Sequence, residues 1–390
     1  MRDVVEIGMG REARRTYNLH DVDIVPSRRT RSAKHVSTTW QIDAYSFEMP
    51  LMTHPSDAVV SPESAAEFSR LGGLSVLNGE GLWARHEDPA AEIAKLRELA
   101  ADWDPTDLSK PNKAVRYLQQ LHQAPLRHDL LENVVATMRE SGHTVAVRVS
   151  PQHAEELAPV LIKAGVEMLV VQGTIISAEH VIGEPGEDGT TPEPLNLKDF
   201  IYQLDIPVIA GGVVDYRTAL HLMRTGAAGV IVGFGHVPGV STTGEVLGMN
   251  VAMATAIADA AAARRDYLDE TGGRYVHVIA DGDIAASGDI TRAIACGADA
   301  VSLGLLLAQS DEAPGKGTFW QSTAAHPSVP RGDVQPVFDS TVPMEEVLLG
   351  PTAEPFGTRN LLGGLRRAMG KSGYTDVKGF QKVDLAVRPD

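Results

Sequence analysis

Eight short apolar runs recur along the chain, at 50–54, 73–78, 144–150, 167–173, 207–212, 229–235, 275–282 and 300–304. They are short and continuously apolar, which predicts strands buried on both faces. Between them lie segments such as 61–72, 153–165, 216–226 and 289–299, where apolar residues fall three and four apart and a glycine stands at or near the end. That pattern predicts amphipathic helices. Strands alternating with helices make a parallel sheet, and eight such units predict a closed α/β architecture, the (β/α)8 TIM barrel. Sites in such barrels collect at the carboxyl ends of the strands.

Four stretches depart from the rhythm. Residues 1–48 are irregular and read as an N-terminal arm that packs on a barrel spanning 49–390. Residues 79–143 are helical in pattern throughout and predict an insertion without strands. The segment GEPGEDGTTPEPLN, 183–196, is rich in glycine, proline and acid and reads as a mobile loop over the site face. Residues 309–350 carry little periodicity and read as an irregular flap region, after which LLGGLRRAMGKSG predicts a closing helix.

Composition narrows the function classes. With 390 residues, 43% of them apolar, the chain can bury a large core. Its formal net charge of −16 argues against nucleic acid as a partner. No apolar run suggests a membrane span and nothing resembles a signal peptide, so a soluble cytoplasmic protein is expected. The single cysteine, Cys296, excludes internal disulfides and thiolate metal clusters, and between Ala295 and Gly297 it reads as a packing residue.

The predicted strand ends assemble one polar mouth: His54, Ser56 and Asp57; Asn78; Arg148 and Ser150; Gln172 and Thr174; Asp215; Asp281 and Asp283; and Gly304. The stretch GVIVGFGHVPGVSTTG, 229–244, is central. Its glycines Gly233, Gly235 and Gly239 let backbone approach a ligand, or serve a plain turn, and Ser241, Thr242 and Thr243 supply hydroxyls. Asp281, directly after an apolar run, can accept two hydrogen bonds from a diol such as ribose, or act as a cap or ion-pair partner. A divalent metal on Asp57, Asp281 and Asp283 is a third chemistry these acids allow, although no site is assigned to one.

The motifs YNLHDVDIVPSRRT (17–30), PLMTHPSDAVVSPE (50–63), GLSVLNGEGL (73–82), AGGVVDYRTALHLMRTGAAGVIVGFG (210–235), VIADGDIAASGDITRAIACGADAVSLG (278–304) and EAPGKG (312–317) together resemble the IMP dehydrogenase and GMP reductase family. The similarity is to its actinobacterial IMP dehydrogenase-related branch, whose members lack the regulatory CBS domains. The resemblance implies the same barrel, a homotetramer, a purine-nucleotide substrate and a nicotinamide cofactor, NAD or NADP. It places Thr243 at the family's catalytic threonine, Asp281 at the aspartate that holds the ribose, and Gly282, Gly304 and Ser56 in the substrate site. Gly233, Gly235 and Gln172 fall in the cofactor region, Gln172 replacing an aspartate.

The resemblance also implies a departure. The family's loop cysteine attacks the purine ring, but here Ser241 stands at its place counting back from the threonines, and Val240 counting forward from the glycines. Asp283 and Leu305 stand where the family presents donors to the 5'-phosphate, Ile231 replaces a loop-orienting arginine, and Arg331 is the only arginine near the flap. The expectation is therefore a purine-nucleotide oxidoreductase by relationship without ordinary covalent turnover, with a catalytically weak or silent nucleotide-binding or regulatory barrel as the alternative.

Overall fold

The computed structural model describes residues 4–26, 29–103, 112–174, 176–180 and 195–388. The eight strands are β1 (Leu51–Thr53), β2 (Val76–Asn78), β3 (Ala146–Val149), β4 (Met168–Gln172), β5 (Val208–Val213), β6 (Gly229–His236), β7 (His277–Gly282) and β8 (Ala300–Leu303). They pair in parallel in the order β1-β8-β7-β6-β5-β4-β3-β2. A parallel bridge between Met52 and Leu74 joins β1 to the approach to β2 and closes the ring. The TIM barrel expected from the apolar runs is thus the fold.

Helices follow most of the strands. They are α1 (Pro62–Arg70), α2 (Pro89–Ala101), α3 (Lys113–Leu121), α4 (His128–Arg139), α5 (Ala154–Ala164), α6 (Leu197–Tyr202), α7 (Tyr216–Met223), α8 (Thr243–Leu247), α9 (Met253–Thr271), α10 (Ser287–Ala295), α11 (Met344–Leu349) and α12 (Leu361–Lys371). The first of these shows why the sequence breaks where it does: Ser61 caps the Ser64 N–H and Pro62 opens the helix. Within 79–143, α4 packs between α1 and α5 as a member of the barrel's outer ring, whereas α2 and α3 pack on each other. Residues 183–194 of the expected mobile loop lie outside the described residues; Leu195–Asn196 forms a short ribbon with Glu179–His180. No helix among the described residues is long and apolar enough to cross a membrane.

The barrel interior is a packed apolar column of residues including Met52, Val76, Met168, Val170, Ile209 and Ile279. Ile231 belongs to it. The position where the resemblance puts an arginine therefore points into the apolar column. At the amino-terminal end of the strands, the hairpin Trp40–Ile42/Tyr45–Phe47 plugs the column with Trp40, Ile42 and Phe47.

Charge holds this base together. Asp299, fully buried ahead of β8, accepts from Arg264 Nη1 at 2.5 Å, Lys378 Nζ at 2.6 Å, Tyr275 Oη at 2.8 Å and the Val278 N–H at 2.9 Å. Although burial works against its charge, Arg264 and Lys378 hold its carboxyl at about 2. The cluster ties α9 and the C-terminal segment to the floor of the barrel.

His277 sits beside it, and its Nδ1 accepts the Trp40 indole N–H at 3.2 Å, which requires that nitrogen to be unprotonated. Burial pushes its imidazole from 6.5 down to about 4. The unfolded chain takes up this proton near pH 6.5 and the folded chain only near 4, so the stabilisation is full above 6.5 and is lost as pH falls towards 4. The difference amounts to about 3 kcal/mol. His277→Gln, whose amide oxygen can still accept from Trp40, is expected to flatten that part of the stability profile. Urea unfolding between pH 7 and 4 measures it, and equal slopes in the two proteins would refute the assignment.

Candidate functional site

Strand β6 is eight residues long and continues past the barrel rim, pairing His236 with Gly282 of β7 after an irregularity. Two glycines make this possible. Gly233 has φ +93°, and a Cβ there would sit 2.3 Å from the Asp281 carbonyl oxygen. Gly235 has φ +75°, and a Cβ there would sit 2.5 Å from His54 Cε1. Glycine at these positions lets β6 press against β7 and the His54 ring.

Beyond the strand the chain turns and Ser241 folds back. Its Oγ accepts the Val237 N–H at 2.8 Å and donates to Gln321 Oε1, and Gln321 Nε2 in turn donates to the Gly235 carbonyl. The hydroxyl at the expected nucleophile position is therefore a buried clasp, with neither a histidine nor a carboxylate bonded to it. Val240, the other candidate register, is buried. Thr243 is buried at the first position of α8.

Asp281 ends β7. Its Oδ1 and Oδ2 lie 3.0 and 3.2 Å from His54 Nδ1, and Oδ2 accepts from Gln172 Nε2 at 2.7 Å. All three side chains are buried. The carboxylate expected to receive a diol is thus held between β1 and β4, with His54 and Gln172 on it. Gln172 keeps a free acceptor: its Oε1 is buried and has no partner.

A second charged group lies alongside. Arg148 of β3 donates to the Gln172 carbonyl at 2.6 and 3.1 Å and reaches Glu80 Oε2 at 3.4 Å. Glu80 also accepts the Ser150 N–H at 2.5 Å and lies 3.3 Å from His153. Burial opposes its charge, but Arg148 and His153 outweigh this and hold the carboxyl at about 2.

The remaining expected residues are spread around this cluster. Ser56 Oγ donates to the Trp320 carbonyl at 2.5 Å, and a Cβ on Gly304 would lie 3.3 Å from His54 Cβ. Gly282, at φ +139°, lies against His236. Asp283, at φ +57°, has its carboxyl 3.7 Å from His236 and raised by burial. Asp57 lies apart under the turn Leu82–Ala84, where it accepts the Leu82 N–H at 3.2 Å and burial pushes its carboxyl up to about 7. The three aspartates are held by different partners, and among the described residues no group of three histidines, cysteines or acids is arranged to hold a metal.

The cluster opens on a cavity of about 450 Å³ whose lining includes His54, Glu80, Arg148, Gln172 and Thr174. Gln321, Ser322, Thr323 and Arg331 close it from the flap side. Ser241 and Thr243 do not line it. Sequence reasoning did not single out Glu80, His122 or Gln321; each comes from a stretch whose local pattern says only helix or loop. Cys296 caps α10 at the opposite end of the barrel, where burial pushes its thiol up to about 11.

Residues 16–333 match the family model described as the IMP dehydrogenase / GMP reductase domain. An "uncharacterized oxidoreductase" of Mycobacterium tuberculosis is 64% identical over 385 residues, covering 98% of this chain and 100% of that protein. The inosine-5'-monophosphate dehydrogenase of Haemophilus influenzae is 40% identical over 171 residues, 44% of this chain and 31% of that enzyme. The crystal structure of an IMP dehydrogenase/GMP reductase-like protein from Corynebacterium glutamicum superposes with a TM-score of 0.91 at 57% identity, covering 99% of this chain and 98% of that one.

If Ser241 is a clasp, Ser241→Ala leaves the buried Val237 N–H without its acceptor, at a cost of about 1–3 kcal/mol. Chemical denaturation is expected to show that loss. A variant as stable as the parent would remove the clasp from the account.

Proposed function

The chain belongs to the IMP dehydrogenase / GMP reductase family, and on that premise we propose that it binds a purine nucleotide reversibly at the barrel mouth without forming a covalent intermediate on the protein. The observation that carries this reading is the clasped Ser241: the loop position that must supply a nucleophile supplies a hydroxyl with no base bonded to it and two structural hydrogen bonds. Serine in that setting is a weak nucleophile, and the only thiol lies at the other end of the barrel and is held protonated.

The cavity, about 450 Å³, lies within the roughly 300–1,000 Å³ range of single-ligand sites. His54, hydrogen-bonded through Nδ1 to Asp281, lines it as a fixed polar wall, and the free Gln172 Oε1 awaits a donor such as a sugar hydroxyl or a ring N–H. These groups suit one nucleotide. The Gln172 amide that replaces the family's cofactor-ribose aspartate is already bonded to Asp281, so this arrangement does not fit that use of the position and no step is assigned to a nicotinamide cofactor.

A second reading is nicotinamide-dependent turnover on IMP or GMP, as the family relationship suggests. It is favoured by the presence of Thr243 and Asp281 at the family's positions and by the oxidoreductase names of the relatives.

Thermal denaturation in the presence of IMP, XMP, GMP, NAD and NADPH separates the two. A ligand that binds only the folded chain raises stability by about 2.7 kcal/mol at roughly a hundredfold excess over its dissociation constant. The expected result is stabilisation by at least one purine nucleotide, with no change in reduced-nicotinamide absorbance when IMP is mixed with NAD or GMP with NADPH. Absorbance turnover that Thr243→Ala abolishes would overturn the proposal in favour of the second reading.

A further inference from the structure

One side chain over the cavity is a cation with no carboxylate partner among the described residues. Arg331 donates from Nη2 to Thr174 Oγ1 at 3.1 Å and from Nη1 to the Val329 carbonyl at 3.4 Å, and its Nε is buried without a partner. Burial pushes its guanidinium downward, and no carboxylate among the described residues offsets the effect. Arg331 is not a loose surface residue. Its N–H donates to the Thr323 carbonyl at 3.0 Å, and its own carbonyl accepts from Thr323 Oγ1 at 3.1 Å. Gln119 on α3 donates to the His326 carbonyl at 2.8 Å, and Trp103 Nε1 to Asp333 at 2.9 Å, which fix the flap on either side of it. A partly buried charge held this firmly, with no ion-pair partner among the described residues, calls for a partner of opposite sign.

The neighbouring polar atoms define the rest of the partner. Gln172 Oε1 is an unpartnered acceptor two residues before Thr174. His122 also lines the cavity; burial lowers its imidazole to about 4, its Nδ1 lies 3.0 Å from the Leu118 carbonyl, and its Nε2 is buried and unpartnered. With the proton on Nδ1, Nε2 is a bare acceptor. Arg148 and Arg85 also line the cavity but lie within reach of Glu80, so the groups left open among the described residues are the Arg331 cation and these two acceptors. On the far rim, at the ends of β7 and β8, stand the acid Asp283 and the apolar Leu305, a setting that repels an anion.

We propose that Arg331, with Thr174, forms an anion subsite at the β4 rim, and that the ligand's phosphate docks there, on the opposite side of the mouth from Asp283 and Leu305. The ligand class is a phosphorylated molecule carrying hydroxyl or N–H donors towards Gln172 and His122. Only the identity of its base rests on the nucleotide reading above; the subsite itself does not.

Titration calorimetry with pyrophosphate, IMP and inosine tests this on the intact chain, on Arg331→Gln and on Arg331→Lys. The control is Arg224→Gln, which removes an exposed arginine paired with Glu270. Pyrophosphate and IMP are expected to bind the parent and to weaken tenfold or more in Arg331→Gln and less in Arg331→Lys, with inosine unchanged and the control unaffected. Should Arg331→Gln fail to fold, Thr174→Val carries the same expectation with a smaller loss. Binding of pyrophosphate and IMP that ignores both substitutions, or no pyrophosphate binding by the parent, overturns the subsite. If pyrophosphate binds through Arg331 while neither IMP nor inosine binds, the subsite stands and the purine reading falls.

Discussion

A carboxylate taken out of water must be met by donors from the protein, and this barrel is built around two that are. At the floor, Asp299 gathers Arg264, Lys378, Tyr275 and a backbone N–H, joining a long outer helix and the C-terminal segment to the strands. At the mouth, Asp281 gathers His54 and Gln172 from two other strands. Removing one member of such a group leaves a buried charge exposed to apolar surroundings, which is far costlier than losing an isolated hydrogen bond. Asp57 shows the contrast. One of its oxygens finds no partner, and its carboxyl rises to about 7.

Much of the architecture was legible in the chain because burial on both faces leaves a local trace. Runs such as 167–173 and 207–212 are apolar without alternation, as a parallel strand covered by helices and facing a packed column requires. The site was legible only in part. Position at a strand end pointed to Asp281, Gln172 and His54, but that the three touch depends on strands 1, 4 and 7 of a closed ring converging. Ser241 illustrates the limit. Its neighbours in sequence mark it as the nucleophile's place, while the residue that fixes its role, Gln321, comes from eighty positions away in a segment with no periodic pattern. His122 was opaque for the same reason, and Arg331, which stood out only as the one arginine near the flap, acquires its meaning from what surrounds it.

On the family's scaffold, the polar groups at the rim of this chain fall into two sets. The loop after β6 is fastened by Ser241 and Gln321 through side-chain to backbone bonds. Open hydrogen-bonding capacity lies instead along β2 to β4 and the flap. The match to the family model, residues 16–333, takes in both sets.

The flap's anchorage has an effect of its own. Asn112, Trp103 and Gln119 grip residues 326–334, so the ceiling of the cavity rests on helices α2 and α3 and not on the barrel alone. The contacts between those two helices therefore bear on the position of the ceiling as well as on their own packing. The same α3 that steadies the ceiling ends at His122 in the cavity wall, so support and lining are built from one helix.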